Sequence, residues 1–166
     1  MAVSWSAPVT DGGSAITGYK VTAAPGGSAC TATVLPTCKV GHLTNGRPYR
    51  FTIRALNRYG FSAASVVSAS VVPATTPAVP KRTKLVVLTS TFTLSWTDPK
   101  DNGGATISKY VVTVTKVGAH KGRTLSVSKR VIQVTKLSGK TKYVITLAGA
   151  NVMGAGKKLV LHITTK

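Results

Sequence analysis

The sequence predicts an all-β protein made of two consecutive domains of similar size. Three observations support this fold class. Glutamate is absent from the 166 residues, and leucine and glutamine, which favour helices, are few. Apolar and polar residues alternate with a period of two in each half of the chain. The two halves also repeat one another at an offset of about 90 residues, which is too long for a solenoid and suits a whole domain.

Matching motifs carry the repeat. Residues 4–8 (Ser-Trp-Ser-Ala-Pro) recur at 95–99 (Ser-Trp-Thr-Asp-Pro), and the Gly-Gly turns at 12–13 and 103–104 precede Tyr19 and Tyr110. A later match of 43–49 with 137–143 has a larger offset, which indicates a short insertion in the second copy near Val117–Arg123. We therefore predict a first domain at 1–72, a Pro-rich linker at 73–80 and a second domain at 81–166. Three prolines without glycine predict an extended, semi-rigid spacer.

The aromatic residues of these motifs are the predicted core, namely Trp5, Tyr19, Trp96 and Tyr110. A strand Trp, a Tyr on the next strand, and a Leu six residues before a second Tyr resemble the fibronectin type III pattern. The resemblance implies two tandem seven-stranded, Ig-like β-sandwiches, the first of them lacking its first strand. It also implies a tyrosine corner at Tyr49 and at Tyr143, whose hydroxyls would bond to upstream backbone.

The sequence pattern of the first copy between residues 43 and 60 is similar to that of modules in actinobacterial secreted and cell-surface proteins. The first copy opens on its second strand, because Met1 aligns with Phe92, whereas Leu85–Leu88 offers the second copy a first strand. We therefore expect a fragment of a longer exported protein, which would also account for the lack of a visible signal peptide.

The two cysteines, Cys30 and Cys38, are eight residues apart, a symmetry that can place them opposite one another on a hairpin. A structural disulfide is the favoured interpretation, with buried free thiols as the alternative. Closing so short a loop contributes roughly 2–3 kcal/mol in the chain-entropy model. Such a pair indicates an oxidising, extracytoplasmic setting. A redox or metal role would need Cys-x-x-Cys or nearby His residues, and the sequence has neither.

Residues for catalysis are scarce. The only acidic residues are Asp11, Asp98 and Asp101, and turn geometry explains the first and the last. Asp98 with Asp101 is a weak candidate for calcium. The histidines have no ligand spacing, and nucleophile-elbow and phosphate-binding motifs are absent. We predict no enzyme, no cofactor and no metal site, and no membrane span, because no stretch of about 18 apolar residues occurs.

The charge is the one feature that points to a partner. The formal net charge is +19, with six basic residues in 1–80 and sixteen in 81–166. Alternation predicts that Lys20, Arg50 and Arg54 face outward as a basic row on one sheet. An adjoining loop holds an arginine and two aromatic residues, a composition enriched at binding sites: Arg58, Tyr59 and Phe61. The alternative is that these charges only prevent aggregation.

The second copy has an apolar row at the matching outward positions. Such a row favours contact with another module or protomer, but the linker or the insertion could equally cover it. Its members are Val111, Thr113, Val144, Thr146 and Ala148.

The function hypothesis is a non-catalytic structural or adhesive module of a bacterial cell-surface or secreted protein. It would space domains and bind anionic envelope polymers or protein ligands, with other modules of the parent protein as further partners. The alternatives are an accessory module of a secreted carbohydrate-active enzyme and a subunit of a virion or extracellular filament. Specific nucleic-acid recognition is not expected, because aromatics make up only 6% of the chain and lie mostly in the core.

Overall fold

A computed structural model describes residues 1–33 and 35–166. It divides the chain into two compact units, Met1–Pro73 and Ala74–Lys166. Every regular element of the described residues is a β-strand, as the sequence predicts. Within this part of the chain, no helix has the length and apolar character needed to cross a membrane.

The described residues of the first unit form six strands in two sheets. Strand β1 pairs antiparallel with β4, and the larger sheet has the order β3-β2-β5-β6. The strands are β1 (Ala2–Ser4), β2 (Gly18–Ala24), β3 (Ala29–Ala32), β4 (Thr37–Lys39), β5 (Arg50–Asn57) and β6 (Gly60–Phe61).

Alternation determines which side chains of the first unit are buried. On β2, Tyr19, Val21 and Ala23 point inward and are buried, while Lys20 between them is exposed. Phe51 on β5 forms a small core cluster with Val21 and Ala23, and half-buried residues surround it. Trp5 is one of these half-buried residues.

Residues 62–68, which follow β6, run along β5 and are joined to it by a ladder of serine hydrogen bonds. Ser62, Ser65 and Ser68 each donate a backbone N–H to a β5 carbonyl, and each hydroxyl accepts a β5 backbone N–H at 3.0–3.1 Å. Each hydroxyl also donates to the carbonyl of the next residue. Every third residue of this segment therefore faces β5, whereas an ordinary β-strand would direct every second residue toward its neighbour.

The second unit has eight strands. A three-stranded sheet has the order β11-β8-β7, and in the other sheet β9 lies between β10 and β12, with β13 and β14 both paired to β12. The strands are β7 (Lys81–Val87), β8 (Phe92–Thr97), β9 (Lys109–Lys116), β10 (Arg123–Val127), β11 (Val131–Val134), β12 (Lys142–Asn151), β13 (Gly154–Ala155) and β14 (Leu159–Thr164).

The core of the second unit is larger and more completely closed. Trp96 is 2% exposed, and Phe92, Leu94, Ile145 and Leu147 are fully buried. Leu85 and Val87 of β7 pack against this cluster from one side. The predicted fold class is confirmed: the smaller sheet has three strands in the second unit and two in the described residues of the first.

The Pro-rich segment 74–80 packs with the second unit. Pro77 and Pro80 are fully buried. Thr75 and Ala78 donate their amides to carbonyls of the 101–103 turn, and Lys157 donates its amide to the Pro77 carbonyl at 3.0 Å. The prolines therefore fill a gap between two loops, and composition alone could not distinguish this from a free spacer.

Candidate binding surface

The outward face of the larger sheet in the first unit carries the predicted basic row. Lys20 and Arg54 are direct cross-strand partners in the β2–β5 register, and all three basic side chains are exposed. Arg50 lies four residues from Arg54 on the same face and donates to the Ser68 carbonyl at 3.2 Å. The row thus spans roughly 13 Å along β5, at about 3.3 Å per residue.

The predicted arginine–aromatic group adjoins one end of this row. Phe61 pairs with Leu56, two residues beyond Arg54 on the same face of β5, and is half-exposed. The Arg58 guanidinium lies 4.5 Å from the centre of the Tyr59 ring and also donates to the Tyr59 hydroxyl. Stacking of this kind leaves the charge in water and holds the ring in place.

Acidic groups do not neutralise this surface. The oxygens of Asp11 and Asp101 accept the amides two residues downstream, and Asp98 pairs with Arg130. Within the described part of the chain, Arg130 is the only one of 22 Lys and Arg residues in an ion pair. The remaining cations are therefore free to attract an external polyanion.

A cluster that the sequence did not suggest lies at the turn after β8. Arg130 binds both oxygens of Asp98, at 2.5 and 2.7 Å, and the Tyr110 hydroxyl donates to the same carboxylate. Arg130 holds the pKa of Asp98 below its ordinary value. Burial and the bond to Asp98 raise the pKa of Tyr110 to about 12. This pairing occupies Asp98, and no metal-binding group of acidic, His or Cys residues occurs among the described residues.

Cys30 and Cys38 form a disulfide with a Cα–Cα distance of 6.1 Å. The expected hairpin geometry is wrong, because β3 pairs with β2 while β4 pairs with β1. The bridge instead joins the two sheets of the sandwich and packs against the core of the first unit. Equal spacing around a central residue could not reveal which sheet each strand joins.

Both tyrosines of the predicted corners bond to upstream backbone. The Tyr49 hydroxyl accepts the Thr44 amide, and the Tyr143 hydroxyl accepts the Ser138 amide, each at 3.0 Å. The bond from Thr44 lowers the pKa of Tyr49. Trp5 and Tyr19 make an edge-to-face contact with ring centres 5.2 Å apart, and Trp96 and Tyr110 repeat it at the same distance.

The apolar row predicted for the second unit is not openly exposed. Ala148 is buried and the other members are half-buried. The loop after β9 covers part of the row: a Cβ on Gly122 would lie 2.1 Å from the Thr115 hydroxyl and 3.0 Å from the Thr113 methyl group. Of the two coverings that the sequence allowed, the insertion therefore lies against Thr113 of this row.

Two adjoining clefts, both lined in part by Pro8 and Ala55, open on the first unit. One, of about 450 Å³, is lined by the Asp11–Gly12 turn, Asn57, Tyr59 and Phe61. The other, of about 260 Å³, lies over Trp5, Tyr19 and Ile53. The aromatic group thus borders a concave surface, which is the usual setting of a ligand site.

Comparison with known proteins decides the family. Residues 1–71 and 78–165 each match the fibronectin type III domain. The chain belongs to the fibronectin type III family. Fibronectin type III domains are typically structural or binding modules, are generally non-catalytic and are commonly extracellular.

Individual proteins of known sequence or structure also resemble this chain. A human relative, fibronectin type-III domain-containing protein 3A, is 37% identical over 75 residues, which is 44% of this chain and only 6% of the relative's length. A two-domain segment of chicken tenascin covers 99% of this fibronectin type III chain and 91% of its own, with a TM-score of 0.55 and 17% identity. Domains A168–A170 of titin cover 88% of this chain and 54% of their own, with a TM-score of 0.54 and 22% identity. At these identities the two structures support the fold alone.

Proposed function

We propose that this chain is a non-catalytic binding and spacing module of an exported bacterial surface protein, and that its basic surface holds anionic envelope polymers. The observation that carries the proposal is the unbalanced charge: a net +19, with three aspartates that are each occupied by local bonds. A polyanion that meets such a surface releases its condensed counterions, which favours binding without a shaped pocket.

The first unit offers the best-defined part of this surface. Lys20, Arg50 and Arg54 share one face of a rigid sheet, so that their charges are held in a line rather than scattered on loops. A linear polymer with regularly spaced phosphate or sulfate groups matches such a line. The disulfide supports export, because such bonds persist in oxidising compartments. The sequence pattern between residues 43 and 60 supports an actinobacterial parent protein.

A second candidate function is recognition of a neutral polysaccharide, as an accessory module of a secreted carbohydrate-active enzyme. Tyr59 is 68% exposed and Phe61 50% exposed, and both border the larger cleft of the first unit. Aromatic rings presented beside a concave surface are enriched at binding sites. This candidate needs no charge on the ligand, so the two proposals differ in their dependence on salt.

The test is binding of the whole chain to teichoic-type wall polymer, heparin, duplex DNA, chitin and cellulose at 50–500 mM salt. The proposal expects all three polyanions to bind, with log K falling linearly with log salt and with little preference among them. Salt-resistant binding to chitin or cellulose alone would contradict it and support the polysaccharide candidate. A Tyr59→Ala, Phe61→Ala variant separates the two, because it should abolish the second mode and leave the first almost unchanged.

A further inference from the structure

Two cations lie directly opposite one another in the middle of the larger sheet of the first unit. Lys20 on β2 and Arg54 on β5 are cross-strand partners, and both side chains are exposed on the same outward face. Their strands are the two inner strands of the order β3-β2-β5-β6. Residues in this relation have Cβ atoms about 4.5–5.5 Å apart, and like charges at that distance destabilise a sheet. Packing of the sheet therefore does not explain the pair.

The described residues around the pair do not compensate this repulsion. Neither the Lys20 nor the Arg54 side chain takes part in a hydrogen bond or an ion pair within the described part of the chain. Thr31, which is uncharged, lies opposite Lys20 on its other side. Arg50 differs from the pair, because its guanidinium donates to the Ser68 carbonyl. Lys20 and Arg54 are thus the members of the basic row whose donors are all unused.

The second unit shows that the domain fold does not require these charges. The residues at the matching positions are Val111 and Ala148, which are cross-strand partners in the same way. Both are uncharged, so the second unit forms the same sheet without the repulsion. The opposed cations are therefore a property of the first unit and not of the fold, which indicates a role in binding.

We propose that Lys20 and Arg54 form a site for one tetrahedral oxyanion, a phosphate or sulfate group, which lies between the two side chains. The Arg54 guanidinium can donate two parallel hydrogen bonds to two oxygens of such a group, and the Lys20 ammonium adds a compact charge. The exposed Thr31 hydroxyl on the same face offers a further donor. The bound anion replaces a repulsion by two attractions.

This site deepens the proposed function and rests on it, since it names the group of the polymer that the first unit recognises. Arg50 lies about 13 Å farther along the row, at about 3.3 Å per residue, and meets a later anionic group of the same polymer. A polymer that engages both positions binds more tightly than a single anion, because the second contact is intramolecular.

The experiment titrates the ¹⁵N-labelled whole chain with inorganic phosphate and, separately, with inorganic sulfate, at pH 7 and constant ionic strength. We expect saturable shifts at the amides of Lys20, Thr31 and Arg54 and at the Arg54 Nε signal, with a Kd in the millimolar range. The amides of Val111 and Ala148 should not shift, because no cation stands at these positions. The anion that binds more tightly identifies the polymer as phosphorylated or sulfated. Absence of saturation by both anions would overturn the proposal.

Two variants with the same net charge make the test specific. Lys20→Val, Arg54→Ala copies the second unit and should abolish the saturable shifts on β2 and β5. Lys157→Ala, Lys158→Ala removes two charges at exposed positions of the second unit and should change the Kd by less than about twofold. Equal weakening in both variants would mean that total charge alone attracts the anion, and would overturn the site.

Hydrogen exchange of the β2 and β5 amides separates loss of the site from loss of the fold. Without phosphate, the Lys20→Val, Arg54→Ala chain should be at least as well protected as the parent chain, because the like charges are gone. Phosphate should increase protection in the parent chain only, since a ligand stabilises the state that binds it. A variant that is less protected without phosphate would mean that the two side chains stabilise the sheet themselves, and would contradict the proposal.

Polymer binding distinguishes failure of this site from failure of the proposed function. If the polyanions bind the whole chain but neither small anion saturates the pair, the site is refuted and the proposed function stands. If phosphate or sulfate binds the pair but the polyanions do not bind, the site stands and the proposed function is refuted.

Discussion

Replacing Gly156 by alanine tests whether segment 74–80 is part of the second unit. A Cβ at this position would lie 2.0 Å from the Pro77 carbonyl oxygen and 2.7 Å from its carbon, both backbone atoms that cannot rotate away. The backbone of Gly156 does not require a positive φ, so steric exclusion is the whole effect. The variant must therefore displace the segment or strain β12 and its neighbours.

The expected cost follows from what the segment contributes. Displacement breaks the hydrogen bonds that the backbone amides of Thr75, Ala78 and Lys157 donate, and one that the Asn151 side chain donates. Each hydrogen bond contributes about 0.5–1.5 kcal/mol. Recovered backbone entropy offsets part of this, at about 1–2 kcal/mol per freed residue. Overpacked cores lose about 1–3 kcal/mol, and we expect a net loss of that size. For a domain of this length, the melting temperature then falls by about 5–15 °C.

The assay uses the single tryptophan of each unit. In a Trp5→Phe background, fluorescence reports unfolding of the second unit through Trp96, and hydrogen exchange follows the Thr75 and Ala78 amides. The Trp5→Phe chain is the control, and Gly41→Ala in the first unit, where a Cβ meets nothing within 4 Å, should leave the Trp96 transition unchanged. A Gly156→Ala variant with the stability of this control, and with both amides still protected, would refute the reasoning.

Three further predictions concern the disulfide, a corner and a carboxylate. Reducing Cys30–Cys38 should destabilise the first unit by roughly 2–3 kcal/mol and leave the Trp96 transition unchanged; equal shifts of both transitions would argue against it. Tyr143→Phe leaves the Ser138 amide without its acceptor and should cost about 1–3 kcal/mol in urea unfolding, unlike an exposed Tyr59→Phe control. The pKa of Asp98 is lowered in the folded state, so its contribution is present above about pH 4 and is lost as pH falls below that. Asp98→Asn should remove this acid-side decline in part, and an unchanged pH profile would contradict the pairing.

Much of the fold could be predicted because the alternation of apolar and polar residues and the internal repeat indicate the same strands. Tyr19, Val21 and Phe51 alternate with Lys20 and Arg50 in sequence, and the burial follows that alternation. When the apolar side chains of a strand are buried, the side chains between them must face outward. The sequence alone therefore predicts the basic row. The face to which a strand side chain points depends only on its neighbours in sequence.

The contacts that depend on distant segments could not be predicted in the same way. Proline content suggested a spacer at 73–80, but the close approach of this segment depends on Gly103 and Gly156, which lie far along the chain. The geometry of the disulfide depended on which sheet β3 and β4 join. The serine ladder at 62–68 did leave a signal, a Ser at every third position, which a search for period two overlooks.

The most direct test of the proposed function compares two charge-matched variants. Lys20→Glu, Arg50→Glu, Arg54→Glu reverses the basic row, and Lys121→Glu, Lys157→Glu, Lys158→Glu makes the same change in net charge at exposed positions of the second unit. Heparin affinity is measured across the salt series for both. If the row binds the polymer, the first variant loses much more affinity, and its salt slope falls by about 2, at about 0.7–0.9 per contact. Equal losses in both variants would mean that total charge alone attracts the polymer, and would contradict a binding face on the first unit.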